Sequence, residues 1–454
     1  MIPDNVFREY DIRGTVGEEL TEDSVFDVGR AIGAYLHQRG KTLSLIARDN
    51  RPSSEEFASI IRDALLNSGV DVVDLGLAPT PAFYFGAQHF APGQGGVMVT
   101  GSHNPPQFNG FKVICGRGTI YGDDIRAIGD IARRRDFVHG RGRYSRREVL
   151  PDYRAALLAR VRITTPVKVV ADAGNGTASL LLPEVLNAAG CDAYGIFCEL
   201  DGTFPNHWPD PTLPANMETL QSEVLRTGAN FGVAFDGDAD RIGAVDDTGR
   251  IIWGDKLLAL YAAPILAAHP GGKVIFEVKC SQALPERVAQ LGGTPIMWKT
   301  GHSLIEAKIH EEGALLAGEM SGHIYFADRY FGYDDAIYAA LRLAELVADA
   351  GRPLSSLVDE IPSYAASPEI RVDCPDAVKF DVVQLVKEHF RSRYEVVDVD
   401  GARIIFPNGW GLVRASNTQP ALVLRFEAGS ETERDIIRAE IEGIVKDILE
   451  KVKT

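Results

Sequence analysis

The chain has 454 residues, 45% hydrophobic and 24% charged, with a formal net charge of −16. That length suits roughly three or four domains, and the acid excess excludes a general nucleic-acid binder while leaving room for small phosphorylated ligands wherever a few cations converge. The five cysteines (Cys115, Cys191, Cys198, Cys280, Cys374) lack CxxC spacing, so neither a disulfide frame nor a zinc cluster is expected. The opening MIPDNVFREYDIRG has no apolar core of the signal-peptide kind, and the longest apolar run, Leu257 to Ala268, is too short for a bilayer. A cytoplasmic protein with no nucleic-acid or membrane partner is the expectation.

Along the chain one unit recurs. LSLIARD (43–49) reads as a strand, Ser53 to Ser68 as an amphipathic helix, Gly69 as its stop and VDVVDLG as the next strand. VKVVADAG (167–174), Thr177 to Ala189, Gly190 and CDAYGIF repeat the order, as do KVIFEVK (273–279), Gln282 to Leu291, Gly292 and GTPIMWK. Strand, polar loop, helix, glycine stop and strand make a βαβ unit, so three similar α/β domains are predicted over 1–149, 150–250 and 251–366. The arginine-rich stretch 133–147 falls at the first boundary and reads as a solvated linker face. After Gly351 the texture changes: SYAASPEIRVDCPD reads as a linker or edge strand. VVDVDGARIIF, GWGLVRAS, ALVLRFEA and a closing helix from Glu431 to about Val452 then predict a smaller α+β domain over 367–454.

Each domain carries one polar loop. In VMVTGSHNPPQFNGFK (97–112) an apolar strand ends at Val99, Gly101 frees the backbone, and Pro105 and Pro106 forbid further strand or helix. Ser102 therefore sits on a sharp loop, although Ser, Asn, Gly and Pro also build ordinary turns. In NFGVAFDGDADRIGAV a strand runs into Asp236, Asp238 and Asp240, followed by Arg241. Carboxylates at that density repel unless a hard cation joins them, and three of them leave open positions for phosphate on an octahedral Mg²⁺; a solvated acidic turn is the plainer alternative. An EF-hand does not fit, because Arg241 stands where the turn glycine belongs. LAGEMSGHIYF places Glu319, Ser321 and His323 at alternate positions, predicted to project from one side of an extended segment toward sugar hydroxyls. KTGHS (299–303) adds Lys299 and His302. GLVRASNTQPALV gathers Arg414, Ser416, Asn417 and Thr418 on a loop between strands, the composition of a phosphate cradle.

EYDIRG (9–14), TGSHNPP, DGDADR, GEMSGH and RASNTQP, in that order across essentially the whole chain, resemble the α-D-phosphohexomutase superfamily, and the GEMSGH and RASNT wording is most similar to its phosphomannomutase/phosphoglucomutase branch. The resemblance implies four domains meeting in a central cleft and interconversion of hexose 1-phosphate and hexose 6-phosphate, on mannose and/or glucose, through a hexose 1,6-bisphosphate. It implies that Ser102 carries the phosphoryl group and, with Asp236, Asp238 and Asp240, holds one Mg²⁺. Arg241 and Lys112 would offset negative charge, His103 and Lys112 are candidates for proton transfer, and Tyr10 and Arg13 would flank the same region. Lys279, His302, Glu319, Ser321 and His323 would hold the sugar, and Arg414, Ser416, Asn417 and Thr418 the phosphate that is not transferred. Two positions depart from the commoner family pattern: Gly101 stands for Ala and Gln419 for Glu. The alternatives are a phosphoglucosamine mutase, a hydrolase, or a non-catalytic sugar-phosphate-binding paralogue; the last expects damage at the serine or carboxylates, and none is present. A monomer or homodimer is expected.

Overall fold

A computed structural model describes residues 2–417 and 419–452. Four sheets follow one another along the chain. In the first, parallel strands Gly95–Val99, Leu43–Arg48, Asp71–Leu77 and Tyr144–Arg146 lie side by side, and the antiparallel strands Phe108–Cys115 and Ile12–Thr15 extend the opposite edge. The second runs Ile251–Ile252, Ile242–Asp246, Phe231–Phe235, Lys168–Asp172 and Asp192–Ile196, and the third Thr294–Trp298, Lys273–Glu277, Leu316–Gly318 and Ile324–Phe326. Both combine parallel central strands with an antiparallel hairpin. The fourth is antiparallel throughout, with helices Lys379–Arg391 and Glu431–Val452 packed on it. Three α/β units and one α+β unit are thus present.

The central strands are buried on both faces, which is why Gly95–Val99 and Phe231–Phe235 read as unbroken apolar runs. Gly69, Gly190 and Gly292 each take a positive φ, as helix stops do. Two local expectations fail. Thr177 to Ala189 is not one helix but a 3₁₀ turn, Thr177–Leu180, and a short helix, Glu184–Ala188; Pro183 between them has no amide hydrogen to give. The arginine-rich stretch is more than a linker face, since Tyr144–Arg146 joins the first sheet beside Asp71–Leu77, and Arg143 and Arg133 pair with Asp71 and Asp130. The stretch around Ala365 is an edge: Ala365–Ala366 and Ile370–Asp373 both pair with Ala421–Ala428.

One apolar core runs through the first three units, from Leu45 and Phe83 through Val169 and Phe235 to Leu258 and Ile337. The fourth unit has its own, around Val386, Phe390, Leu424 and Ile441, and meets the third through Val278, Trp410 and Leu412. A separate core lets the last unit move as a body against a rigid remainder. The apolar run 257–268 lies in the buried helix Gly254–Ala268, and no helix among the described residues is long and apolar enough to cross a membrane. All five cysteines are free thiols.

Candidate active site

Strand Gly95–Val99 delivers Ser102 to the loop that follows, with φ at 49° and the side chain buried. For a residue with a Cβ the left-handed region costs about 1 kcal/mol, so the surroundings must hold it there. The Ser102 amide donates to Thr100 Oγ1 at 2.9 Å, and the hydroxyl donates to Asp236 Oδ2 at 2.9 Å, with His103 Nδ1 at 3.2 Å.

Asp236, Asp238 and Asp240 are fully buried in the connection between strands Phe231–Phe235 and Ile242–Asp246. Ala239 there takes φ of 63°, and the amides of Asp240 and Arg241 each donate to Asp236 Oδ1 at 3.1 Å. Thr80 Oγ1 donates to Asp238 Oδ2 at 2.6 Å, and Lys112 Nζ bonds Asp240 and lies 3.4 Å from Asp238 Oδ2. Asp238 Oδ1 and Asp240 Oδ1 are buried without a hydrogen-bond partner. One oxygen from each of the three carboxylates falls within 4.8 Å of the others. Orphaned buried oxygens beside one another are costly, and a hard divalent ion such as Mg²⁺ satisfies them; the donor set fits it. Burial, with Asp240 and Asp238 beside it, pushes the Asp236 carboxyl well above the usual range. Burial acts the same way on Asp240, but Lys112, His323 and Arg241 outweigh it and hold that carboxyl low.

Lys112 lies on strand Phe108–Cys115, opposite Met98. Burial disfavours its charge, yet Asp238 and Asp240 prevail and its pKa rises, so the ammonium is a fixed counter-charge. The imidazoles behave oppositely. Burial, assisted by nearby cations, takes His103 and His302 well below the usual range, and burial also lowers His323. Three neutral histidines therefore face the cleft. His323 Nε2 accepts from Arg241 Nε at 2.9 Å, and its Nδ1 lies 2.7 Å from Asp334 Oδ2. Arg13 pairs with Asp11 and helps depress His103.

The third unit's loop differs from the extended segment its alternation suggested. Strand Leu316–Gly318 ends, and Glu319 N bonds His323 O at 2.9 Å across a tight turn with Gly322 at φ 93°. Glu319 and Ser321 still meet, Ser321 Oγ donating to Glu319 Oε2 at 3.3 Å. Glu319 Oε1 is buried without a partner, and burial raises that carboxyl's pKa. His323 instead faces Arg241 and Asp334. Lys279 lies between Glu369, 3.3 Å away, and Glu277, 3.5 Å away. His302 begins helix His302–Glu312 and stacks on His323 with ring centres 6.0 Å apart. Lys299 is not tied into this network.

Tyr10 lies away from Ser102, contrary to the sequence expectation that it flanks the same region as Arg13. Its hydroxyl donates to Thr300 O at 2.7 Å and receives Asn417 Nδ2, with Arg414 Nη2 at 3.4 Å. A side chain on Gly301 would press within 2.5 Å of the Tyr10 ring, so the tyrosine ties the first, third and fourth units together at the far end of the cleft. Arg414 Nε is engaged by Asp400 Oδ2 at 2.6 Å, and Ser416 Oγ accepts Gln419 N at 3.1 Å. Thr418 lies outside the described residues. The Gln419 amide oxygen accepts from Arg371 Nη1 at 2.9 Å on the exposed side, so that departure from the family pattern points out of the cradle. Gly101 has a physical reason as well: a Cβ there would stand 2.5 Å from Arg51 Nε.

Sequence reasoning passed over Asp49, Arg51, Thr80, Glu277, Asp334 and Asp400. Glu277 is fully buried and receives Thr300 Oγ1 at 2.5 Å and the Met320 amide at 3.2 Å, fixing two loops of the third unit to each other. Its position at the end of strand Lys273–Glu277 was the available signal, since ligand-facing residues gather at the carboxyl ends of strands in open α/β sheets.

Comparison with known proteins agrees with this layout. Models described as phosphoglucomutase/phosphomannomutase α/β/α domains I, II and III match residues 4–139, 151–249 and 253–364, and the family's C-terminal domain matches 369–444. The phosphomannomutase/phosphoglucomutase of Pseudomonas putida is 42% identical over 97% of this chain and 96% of its own. A phosphoglucomutase of Neisseria meningitidis is 39% identical over 97% of each chain. The crystal structure of a phosphoglucomutase/phosphomannomutase family protein from Burkholderia thailandensis superposes with a TM-score of 0.93 at 39% identity, covering 99% of this chain and 98% of that one. With four domain matches in sequence order and full-length relatives near this level of identity, the chain belongs to the phosphoglucomutase/phosphomannomutase family.

Proposed function

We propose that the protein is a phosphohexomutase that interconverts hexose 1-phosphate and hexose 6-phosphate, with mannose or glucose as the sugar, through a phosphoserine at 102 and a hexose 1,6-bisphosphate. The carrying observation is the Ser102 hydroxyl, held in a left-handed turn 2.9 Å from one of three buried carboxylates. The names of the full-length relatives support the mannose or glucose assignment.

In this reading Ser102 Oγ bears the phosphoryl group. The O6 hydroxyl of a hexose 1-phosphate attacks the phosphorus, the P–Oγ bond breaks as the P–O6 bond forms, and the hydroxyl proton passes to a neutral imidazole of the cleft. The bisphosphate turns end for end, and its 1-phosphate returns to Ser102 by the reverse step. Asp236, Asp238, Asp240 and the seryl phosphate would hold one Mg²⁺, which when bound withdraws charge from the transferring group. Lys112 and Arg241 offset charge at fixed positions. Glu319 and Ser321 meet the sugar's C3 and C4 hydroxyls, with Lys279 and His302 beside them. The partners are small hexose phosphates, and the site needs only one chain, as a monomer or within a homodimer. A coupled assay with mannose, glucose and glucosamine 1-phosphates and a trace of hexose 1,6-bisphosphate tests the reading. Conversion of the first two to 6-phosphates without net inorganic phosphate is expected. Net phosphate release would indicate a hydrolase, and turnover of the amino sugar alone a phosphoglucosamine mutase.

Arg414, Ser416 and Asn417 hold the phosphate that is not being transferred, so their binding energy serves ground and transition states alike. Because Asp400 already engages Nε, the rest of the guanidinium edge is what a phosphate can take. Arg414→Ala should cost about 2–3 kcal/mol, raising KM roughly 30- to 150-fold with a smaller fall in kcat. Steady-state kinetics on glucose 1-phosphate check this; an unchanged KM removes Arg414 from phosphate binding.

A further inference from the structure

Arg51 is a charged side chain with no exposure at all, and the chemistry above gives it nothing to do. Its Nε donates to Asp49 Oδ2 at 3.1 Å, Nη1 to the carbonyls of Pro105 and Phe108 at 2.8 and 3.2 Å, and Nη2 to those of Ser102 and Asn104, both at 2.5 Å. One guanidinium thus satisfies four carbonyls of a buried loop in which Pro105 and Pro106 have no amide hydrogens to offer. Asp49 works on the other side of the same turn. Its Oδ2 accepts Thr100 Oγ1 at 2.8 Å and the Gly101 amide at 3.2 Å, and Thr100 Oγ1 in turn accepts the Ser102 amide at 2.9 Å. Asp49 Oδ1 accepts the Arg51 amide at 3.0 Å and Ser54 Oγ, which anchors the pair to the start of helix Ser54–Asn67. The second unit closes over it: the Phe204 ring centre lies 5.2 Å from the guanidinium, and a Cβ on Gly202 would sit 2.1 Å from Asn50 O.

We propose that Asp49 and Arg51 are positioning residues that aim the Ser102 oxygen. Amide and carbonyl of Ser102 are held from opposite sides, the amide through Thr100 and the carbonyl by Arg51, and this fixes the residue at its positive φ. The proposal rests on the reading of Ser102 as the phosphoryl carrier. A loosened loop lets Oγ swing from the line joining phosphorus and sugar O6, and water competes: the P–Oγ bond breaks, a P–O bond to water forms, inorganic phosphate leaves and Oγ regains a proton.

The test uses full-length Arg51→Lys, which keeps the charge but not the planar fork, and the milder Thr100→Val, which cuts the Asp49-to-Ser102 relay. For Arg51→Lys, kcat on glucose 1-phosphate should fall about 100-fold, the effect of roughly an ångström of misplacement, and for Thr100→Val about 10-fold, as for one lost buried hydrogen bond. KM should hardly change, because the sugar and phosphate loops lie on other units. Intact-mass time courses without substrate should show phosphoserine lost to water faster in both variants. Folded, phosphorylated variants with wild-type kcat and wild-type phosphoserine lifetime overturn the proposal. Should Arg51→Lys not fold, Thr100→Val decides alone, and an unchanged kcat there overturns it. Full activity in Ser102→Ala would instead sink the carrier reading, whatever Arg51 does.

Discussion

Ser102→Ala is expected to cut mutase turnover by about four orders of magnitude, equivalent to about 5.5 kcal/mol of transition-state stabilisation. The size follows from covalent catalysis: without Oγ there is no phosphoryl reservoir, and the neighbouring imidazoles and lysine have nothing to act upon. Structure should survive, because the backbone of residue 102 is held by Thr100 and Arg51 and only one side-chain hydrogen bond, to Asp236, is lost. Sugar phosphates should therefore still bind the variant with near-normal affinity, measurable by calorimetry. Intact mass of the purified wild type should reveal one phosphoryl group, mapped to the peptide containing Ser102 and missing from the variant. Undiminished turnover by the alanine variant would falsify the phosphoserine mechanism.

The second large effect concerns the three aspartates. Chelation should abolish activity, and Mg²⁺ should restore it. Asp236→Asn should raise the Mg²⁺ concentration needed for half-activity at least 10-fold, since one of three anionic ligands is gone. Its effect on stability runs the other way. Without metal, Asp236 is crowded by two buried carboxylates, and two like charges 4 Å apart repel by about 1 kcal/mol even in a water-like medium. Asparagine keeps the Oδ1 acceptor used by the amides of Asp240 and Arg241 and removes the charge. Metal-free Asp236→Asn should therefore melt a few degrees above metal-free wild type, while gaining less from added Mg²⁺. Calorimetry with and without chelator measures both. If the variant melts lower in chelator and gains as much from Mg²⁺ as wild type does, the cluster is not a metal site.

Much of this layout was legible because the chemistry sits on contiguous residues. Ser102 and His103, the three aspartates with Arg241, and the Arg414 to Asn417 run are each a few positions long, each at a strand's end. What escaped is support supplied from afar by ordinary residues. Thr80 reaches Asp238 across 158 positions, and nothing in a lone threonine announces that. Asp49 and Arg51 share a short polar run after a strand, where turn residues are commonplace. Alternation misled at Glu319, Ser321 and His323, because a period of two implies a common side only while the backbone stays extended, and Gly322 bends it. Pro183 was visible in the sequence but outweighed by the amphipathic pattern around it. Tyr10 was placed by its neighbour Arg13, yet two strand-adjacent residues three apart need not face the same unit.

The hydroxyl of Tyr10 meets the amide of Asn417 across 407 positions, and this fixes when the enzyme can come into being. A ribosome adding about 5–20 residues each second needs roughly 20–80 s between synthesising the two. During that interval the first three units, with their shared core, can form the nucleophile loop and the carboxylate cluster while the fourth wall is still missing. A nascent chain phosphorylated at that stage would hold its phosphoryl group in an open cleft, accessible to water, so competence waits on the last unit to fold, and premature release should yield a chain that folds but does not turn over.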